Sequence, residues 1–496
     1  MNFSELKKLK SGTDVRGVAS GENITLTDEA ITAISRAFGV WLSAKANKPR
    51  LKIALGNDSR ITATHIAGLV KDTLLSCGHD VVYTGLSSTP SMFILLKESD
   101  FGCDGSIMIT ASHLPADRNG LKFFTSDGGL SGADIDEILG IAATSRTSSE
   151  VRGNYSERSF MDAYSQILVD KVVSECGPLP LKGKKIIVDS GNGAGGFFAE
   201  KVLKPLGADT TGSLFSEPDG NFPNHIPNPE DKAAIECLSH AVIETGADLG
   251  IIFDTDVDRA ACVDAGGEEI NRNSLIALLA AILLPDKGGV IVTDSVTSTH
   301  LTEFIESLGG KHLRFKRGYK NVIDKCRELN DSGVYSPLAV ETSGHAAFPE
   351  NYYLDDGAYL ITRILICLSR QAKEGKGLTS LIAGLKRPAE ECEIRLGFNK
   401  SSKDFKAEGA SVIEYLKKRA ASDSELRVSD DNFEGVRILV DGGWILVRMS
   451  VHDPVMPINF ESDYRGGIIK SAVKLAELLD GYSFLDTSNL KKFISL

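Results

Sequence analysis

Apolar, β-branched runs alternate along most of the chain with segments whose apolar positions recur at helical spacing. Three stretches repeat one device: 51–60 (LKIALGNDSR), 184–193 (KKIIVDSGNG) and 289–297 (GVIVTDSVT) each run apolar and then reach Asp-Ser. The pairs begin at 58, 189 and 294, spacings of 131 and 105 residues. Such spacings exceed the 20–50-residue period of solenoids and indicate a repeated domain. A helical pattern follows each pair, over 65–77, 197–206 and 301–308. A second apolar run then ends in a polar loop, over 107–112, 249–254 and 337–341. Strands alternating with helices predict an α/β fold with mixed sheets and ligand loops at the carboxyl ends of the strands. Past about residue 385 the pattern changes to short strands (391–396, 435–440, 444–449) and amphipathic helices (412–419, 468–479). We therefore expect three repeated mixed α/β domains, 1–150, 151–268 and 269–388, and a C-terminal α+β domain, 389–496.

Composition narrows the functional classes. With 496 residues the chain exceeds what one core can organise. A formal net charge of −12 argues against nucleic acid or an anionic membrane as the main partner. The eight Cys occur without a CxxC pair, which fits reduced thiols and no zinc ribbon. No apolar run nears the roughly 20 residues of a membrane span. These features predict a soluble intracellular protein, cytoplasmic, or in an organelle (plastid) stroma if a transit peptide was removed.

Chemistry concentrates in loops. Residues 106–122 (SIMITASHLPADRNGLK) carry an apolar strand into a hydroxyl cluster containing Ser112. On an extended segment the neighbouring His113 would point elsewhere. Asp254, Asp256 and Asp258 alternate after an apolar strand, a spacing that suits a hard cation such as Mg²⁺ or Ca²⁺. An EF-hand is excluded, because Arg259 and Ala265 stand where Gly and Glu are required. Residues 191–196 (GNGAGG) formally match a dinucleotide fingerprint, but they read better as a tight, closely packed strand-to-helix turn. Four prolines make 217–230 an extended loop, and His225 within it reads as a packed or solvated side chain. Residues 341–345 (ETSGH) combine acceptor, hydroxyls and imidazole, suited to vicinal sugar hydroxyls. Residues 314–320 (RFKRGYK) gather four cations around one Gly, which suits phosphate. Near the amino terminus, 11–17 (SGTDVRG) could hold a phosphate on backbone donors and Arg16.

Taken in order, these loops resemble the α-D-phosphohexomutases: phosphomannomutase, phosphoglucomutase and phosphoglucosamine mutase. Residues 110–122 are similar to the family's TASHNPxxxNGxK loop, with Leu114 where Asn is usual. Residues 254–259 are similar to its DGDxDR loop, with Thr255 for Gly, and 340–345 to its GExSGH loop, with Val340 for Gly. The resemblance implies a four-domain architecture, a phosphoserine at Ser112, and Mg²⁺ held by that phosphate with Asp254, Asp256 and Asp258. It further implies Arg259 and Arg16 as charge-stabilising residues, Lys122 and His345 as proton-transfer residues, and Glu341, Ser343 and Lys316 as sugar contacts. A hexose 1,6-bisphosphate would serve as intermediate and as activating phosphate donor, hexose phosphates as partners, and the protein would be a monomer or dimer.

The fourth domain departs from the family's RxSxTEPxxRxxxE loop. Arg448, Ser450, Pro454 and Glu461 keep their places, while His452, Asp453 and Pro457 replace Thr, Glu and the second Arg. Losing one charge-assisted contact typically costs about 1.5–3 kcal/mol, a roughly 10- to 150-fold change in affinity. The resemblance thus implies a phosphohexomutase acting on glucose or mannose phosphates. A hexose (glucose) 1,6-bisphosphate synthase and a non-catalytic sugar-phosphate-binding regulator are the alternatives.

Overall fold

The apolar runs form parallel strands, and the loaded loops leave their carboxyl ends. In this computed structural model, which describes residues 2–145, 148–450 and 453–495, the chain divides into two units. The first comprises 1–271 with 343–378, and the second 272–342 with 379–496.

In the first unit, Lys52–Asn57 pairs in parallel with Asp80–Leu86 and with Gly105–Ile109. The chain then returns as Arg118–Thr125, antiparallel to Gly105–Ile109, and carries the hairpin of Lys10–Ser11 and Asp14–Val18 on its other edge. Helix Asp28–Ala46 covers this sheet. Thr27 caps its N-terminus on the amide of Ala30, acidic Asp28 and Glu29 fill its first turn, and Asn47 ends it in a left-handed turn. Its buried stripe of Ile31, Ile34, Phe38 and Trp41 supplies core, with Phe38 against Phe123 at 4.8 Å between ring centres. Each such side chain contributes roughly 1.5–3 kcal/mol of burial.

A second sheet repeats the scheme. Leu249–Phe253 runs parallel to Ile186–Asp189 and antiparallel to Ala260–Asp264, and its apolar side chains are fully buried. The glycines at 191–196 make the tight, packed turn expected of them. A Cβ at Gly193 would sit 2.6 Å from the Thr255 carbonyl oxygen, so only glycine lets this turn touch the acidic loop. The loop 217–230 contains no helix or strand among its described residues, as its prolines require. His225 is packed rather than solvated, 2.9 Å from Asp189 and against Phe215. The expected helix over 197–206 is a short, wide π-type segment, Phe198–Leu203. The unit also contains the hairpin Ala346–Phe348 and Leu354–Asp355, and helix Gly357–Lys373.

In the second unit, Gly289–Thr293 lies parallel to Gly310–Arg314 and to Leu338–Val340. A separate six-stranded antiparallel sheet is ordered Arg427–Val428, Val436–Val440, Gly443–Val447, Val455–Ser462, Glu390–Phe398, Leu485–Asp486. Helices Phe405–Ser422 and Gly467–Leu478 bury their apolar faces in the core it shares. The mixed α/β sheets and the distinct carboxyl-terminal sheet domain agree with the fold class read from the pattern. Among the described residues, no helix is long and apolar enough to cross a membrane.

Candidate active site

Two hairpin loops of the first unit meet. One joins Gly105–Ile109 to Arg118–Thr125, opening where the Thr110 amide donates to the Gly120 carbonyl at 3.1 Å. Gly120 has no room for a side chain, since a Cβ would lie 2.4 Å from the Val15 carbonyl oxygen. Within the loop Ser112 adopts a left-handed φ of 53°, uncommon for a non-glycine residue. That turn corrects one expectation. The segment is not extended, and His113 comes round so that its Nδ1 lies 3.3 Å from Ser112 Oγ. Burial, with the nearby charges of Arg259 and Arg16, pushes the His113 pKa down to about 2, so its imidazole is neutral.

The other loop, 254–259, joins Leu249–Phe253 to Ala260–Asp264 in register Phe253 with Ala260. The left-handed φ of 66° at β-branched Val257 lets so short a loop turn, and Asp254 accepts from the Arg259 amide at 3.2 Å. Asp254, Asp256 and Asp258 are all buried, and oxygens from the three lie within 4.8 Å of one another.

The loops meet at the serine. Ser112 Oγ donates to Asp254 Oδ2 at 3.0 Å and accepts from Arg259 Nη2 at 3.3 Å. Lys122 donates to Asp256 at 3.0 Å and to Asp258 at 2.5 Å. Burial opposes the ammonium charge, but the two carboxylates outweigh it and hold Lys122 well above its ordinary pKa. Burial and repulsion from Asp258 and Asp256 drive Asp254 well above the usual carboxylate range. Asp258 goes the other way: burial would raise it, yet Lys122, His345 and Arg259 keep it low. Arg16, bonded to Asp14 at 2.8 Å, aims Nη1 at the Ala111 carbonyl, 3.4 Å away. His345 Nδ1 bonds Asp355. Burial alone would neutralise this imidazole, but Asp355 and Asp258 lift its pKa to about 9.

The acidic loop fits a hard divalent cation. Oδ1 of Asp256 and Oδ1 of Asp258 are buried with no hydrogen-bond partner among the described residues, and the donors are all carboxylate oxygens.

Ser112, Asp254, Asp256, Asp258, Arg259, Lys122, Arg16, His345 and Ser343 all lie in the first unit. Glu341, Lys316, Arg448 and Ser450 lie in the second, so the unit boundary runs through the ETSGH loop. Glu341 is buried and accepts from the Gly318 amide at 2.6 Å, while Thr342 Oγ1 donates to Asp294 at 2.8 Å. Lys316 is exposed. The four cations of RFKRGYK do not act together. Arg314 turns inward to Thr297, Ser298, Thr302 and Asp431, and Lys320 pairs with Asp324 on its own helix. Buried Arg448 lies 3.8 Å from Glu434 and 3.7 Å from Glu393, and Ser450 Oγ accepts from the Asp453 amide at 3.2 Å. His452 falls outside the described residues. Pro457 stands in strand Val455–Ser462 directly opposite Arg395.

Four residues of this chemistry escaped the sequence reading. Asp355 seats His345, Thr89 donates to Asp256, Glu434 accepts from Ser295 at 2.7 Å, and Arg60 grips the serine loop. Only Arg60 had a signal, its place beside the first Asp-Ser pair.

Comparison with known proteins gives a consistent picture. Residues 7–149, 162–267 and 271–387 match the models described as phosphoglucomutase/phosphomannomutase, alpha/beta/alpha domains I, II and III. Over 460 residues the chain is 31% identical to a phosphoglucomutase of Neisseria gonorrhoeae, spanning 92% of this chain and 93% of that protein. It is 32% identical over 454 residues to a phosphomannomutase/phosphoglucomutase of Pseudomonas syringae pv. tomato, with 91% and 90% covered. A crystal structure of a phosphoglucomutase/phosphomannomutase family protein from Burkholderia thailandensis superposes with a TM-score of 0.80 at 28% identity, covering 96% and 98% of the two chains.

Proposed function

The chain belongs to the phosphoglucomutase/phosphomannomutase family, and we propose that it interconverts hexose 1-phosphate and hexose 6-phosphate, of glucose or mannose, through a phosphoserine at Ser112. The observation that carries this reading is Ser112 Oγ held between Asp254 and Arg259 at the edge of a buried carboxylate triad. Phosphoryl transfer requires positioning and charge neutralisation more than covalent chemistry, and these loops supply both. The bond from phosphorus to Ser112 Oγ breaks as a bond to a sugar hydroxyl forms, giving a bound hexose 1,6-bisphosphate. After reorientation, the other phosphate returns to the serine.

Mg²⁺ held by Asp254, Asp256 and Asp258 with the serine phosphate would neutralise charge on the phosphoryl oxygens. Arg259 steadies charge at Oγ from 3.3 Å, and Arg16 supports the serine phosphate from the Asp14 side. Lys122 and His345 handle the hydroxyl protons, each held in place by carboxylates. Glu341, Ser343 and Lys316 contact the sugar, while Arg448 and Ser450, with His452, bind the phosphate not in transfer. Hexose 1,6-bisphosphate also primes the serine. Incubating the protein with glucose 1,6-bisphosphate and Mg²⁺ should place one phosphate on Ser112, read by peptide mass spectrometry; an unmodified serine would sink the reading.

A second reading, release of the bisphosphate as product, draws on Pro457. A proline in a strand between two neighbours offers no charge to a phosphate. Net accumulation of hexose 1,6-bisphosphate with little mutase turnover would select it. A regulator without turnover gives no account of three buried carboxylates around a serine.

A further inference from the structure

Arg60 follows the first Asp-Ser pair and is fully buried. Its guanidinium is spent on backbone. Nη1 donates to the carbonyls of Pro115 at 2.7 Å and Arg118 at 2.8 Å, and Nη2 to those of Leu114 at 2.6 Å and Ser112. Four carbonyls in seven residues of loop converge on one planar fork, which only arginine provides.

The fork is itself fixed from two sides. Asp58 accepts from the Arg60 amide at 3.0 Å and lies 3.3 Å from Nε. The ring of Phe222, from the proline-containing loop of the second domain, lies 5.3 Å from the guanidinium carbon. That loop closes down so tightly that a Cβ at Gly220 would fall 2.4 Å from the Ile61 amide nitrogen. Strain and grip coincide, because the first carbonyl collected belongs to Ser112, whose φ is 53°.

We propose that Arg60 is a positioning residue for phosphoryl transfer, gathering the carbonyls of residues 112, 114, 115 and 118 so that the left-handed Ser112 presents Oγ to Asp254 and Arg259. The proposal rests on Ser112 being the phosphate carrier. Without the fork, four carbonyls crowd one another in a buried pocket, the loop relaxes and Oγ leaves its place. Misplacement by about 1 Å commonly costs on the order of 100-fold in rate.

The test measures phosphorylation of Ser112 by glucose 1,6-bisphosphate in rapid-quench experiments, alongside the steady-state KM for hexose phosphate. In Arg60→Lys, which keeps the charge and loses the fork, the phosphorylation rate should fall about 100-fold while KM stays within about twofold of wild type. In Arg60→Ala, millimolar guanidinium should recover part of the lost rate, which a general loss of stability would not permit. Wild-type phosphorylation rates in Arg60→Lys overturn the proposal. Should both Arg60 variants fail to fold, Asp58→Asn replaces them: about a tenfold fall supports the positioning role, and an unchanged rate overturns it. A wild-type protein that takes up no phosphate instead defeats the assignment of Ser112, a separate result.

Discussion

The serine-and-acid cluster of the first unit and the surroundings of Arg448 in the second handle charge differently. In the first, each cation is committed at hydrogen-bond distance: Lys122 at 2.5 and 3.0 Å, Arg259 at 3.2 Å, Arg16 at 2.8 Å. In the second, Arg448 sits 3.7 and 3.8 Å from its carboxylates, beyond hydrogen-bond range. Glu434 is meanwhile occupied by Ser295 at 2.7 Å and the Arg317 amide at 2.9 Å. A group that takes part in bond making is preorganised, because rearrangement during the reaction costs rate. A group whose proposed part is only to grip a phosphate can keep looser ion pairs without cost to the rate. The contrast predicts that mutations in the first cluster act on rate and those in the second on affinity.

The largest effect is expected at Ser112. Ser112→Ala should lower mutase activity by on the order of 10⁴-fold or more, with thermal unfolding close to wild type. Activity within tenfold of wild type would remove Ser112 from the chemistry. Next comes the cation. Chelation of divalent metal should cost about 10³-fold in rate, restored by Mg²⁺, since a bound metal supplies several kcal/mol of charge stabilisation. Asp258→Asn should raise the Mg²⁺ concentration needed for half-maximal rate, and an unchanged requirement would place the metal elsewhere. On the other side of the contrast, Arg448→Met should raise the KM for hexose phosphate about 10- to 150-fold and leave kcat within a few-fold. A fall in kcat at constant KM would erase the distinction between the two clusters.

Much of the first cluster is legible in the sequence because its chemistry is local. An apolar strand leading into DTDVDR or TASH places those side chains at a strand end, whatever the rest of the fold does. What escaped is the partner set. Arg60 meets carbonyls 52 to 58 residues away, and Glu434 reaches Ser295 across 139. No periodicity encodes such contacts; they follow from how the chain folds back on itself over long sequence separations. His113 failed for the opposite reason, since a local rule assumed extended backbone where Ser112 is left-handed. The RFKRGYK cluster shows that adjacent charges need not share a fate. Arg314 ends a strand and turns inward, whereas Lys316 lies outside it and exposed.

The smallest effect is the most informative about the second cluster. Met456 and Ile458 point into the core, so residue 457 shares the opposite face with Asn459, which bonds Glu393 at 3.1 Å. Pro457→Arg would add a cation to the face that holds Glu393 and Arg448, and KM for hexose phosphate should fall. The gain is limited, because Arg395 lies directly across the strand pair and like charges in that position repel. A fall of about three- to tenfold is expected, short of what a new charge-assisted contact can provide. Removing the repulsion in Pro457→Arg with Arg395→Gln should extend the fall. If KM stays constant in both variants, residue 457 does not face the phosphate, and the looseness around Arg448 has nothing to do with the cation missing beside it.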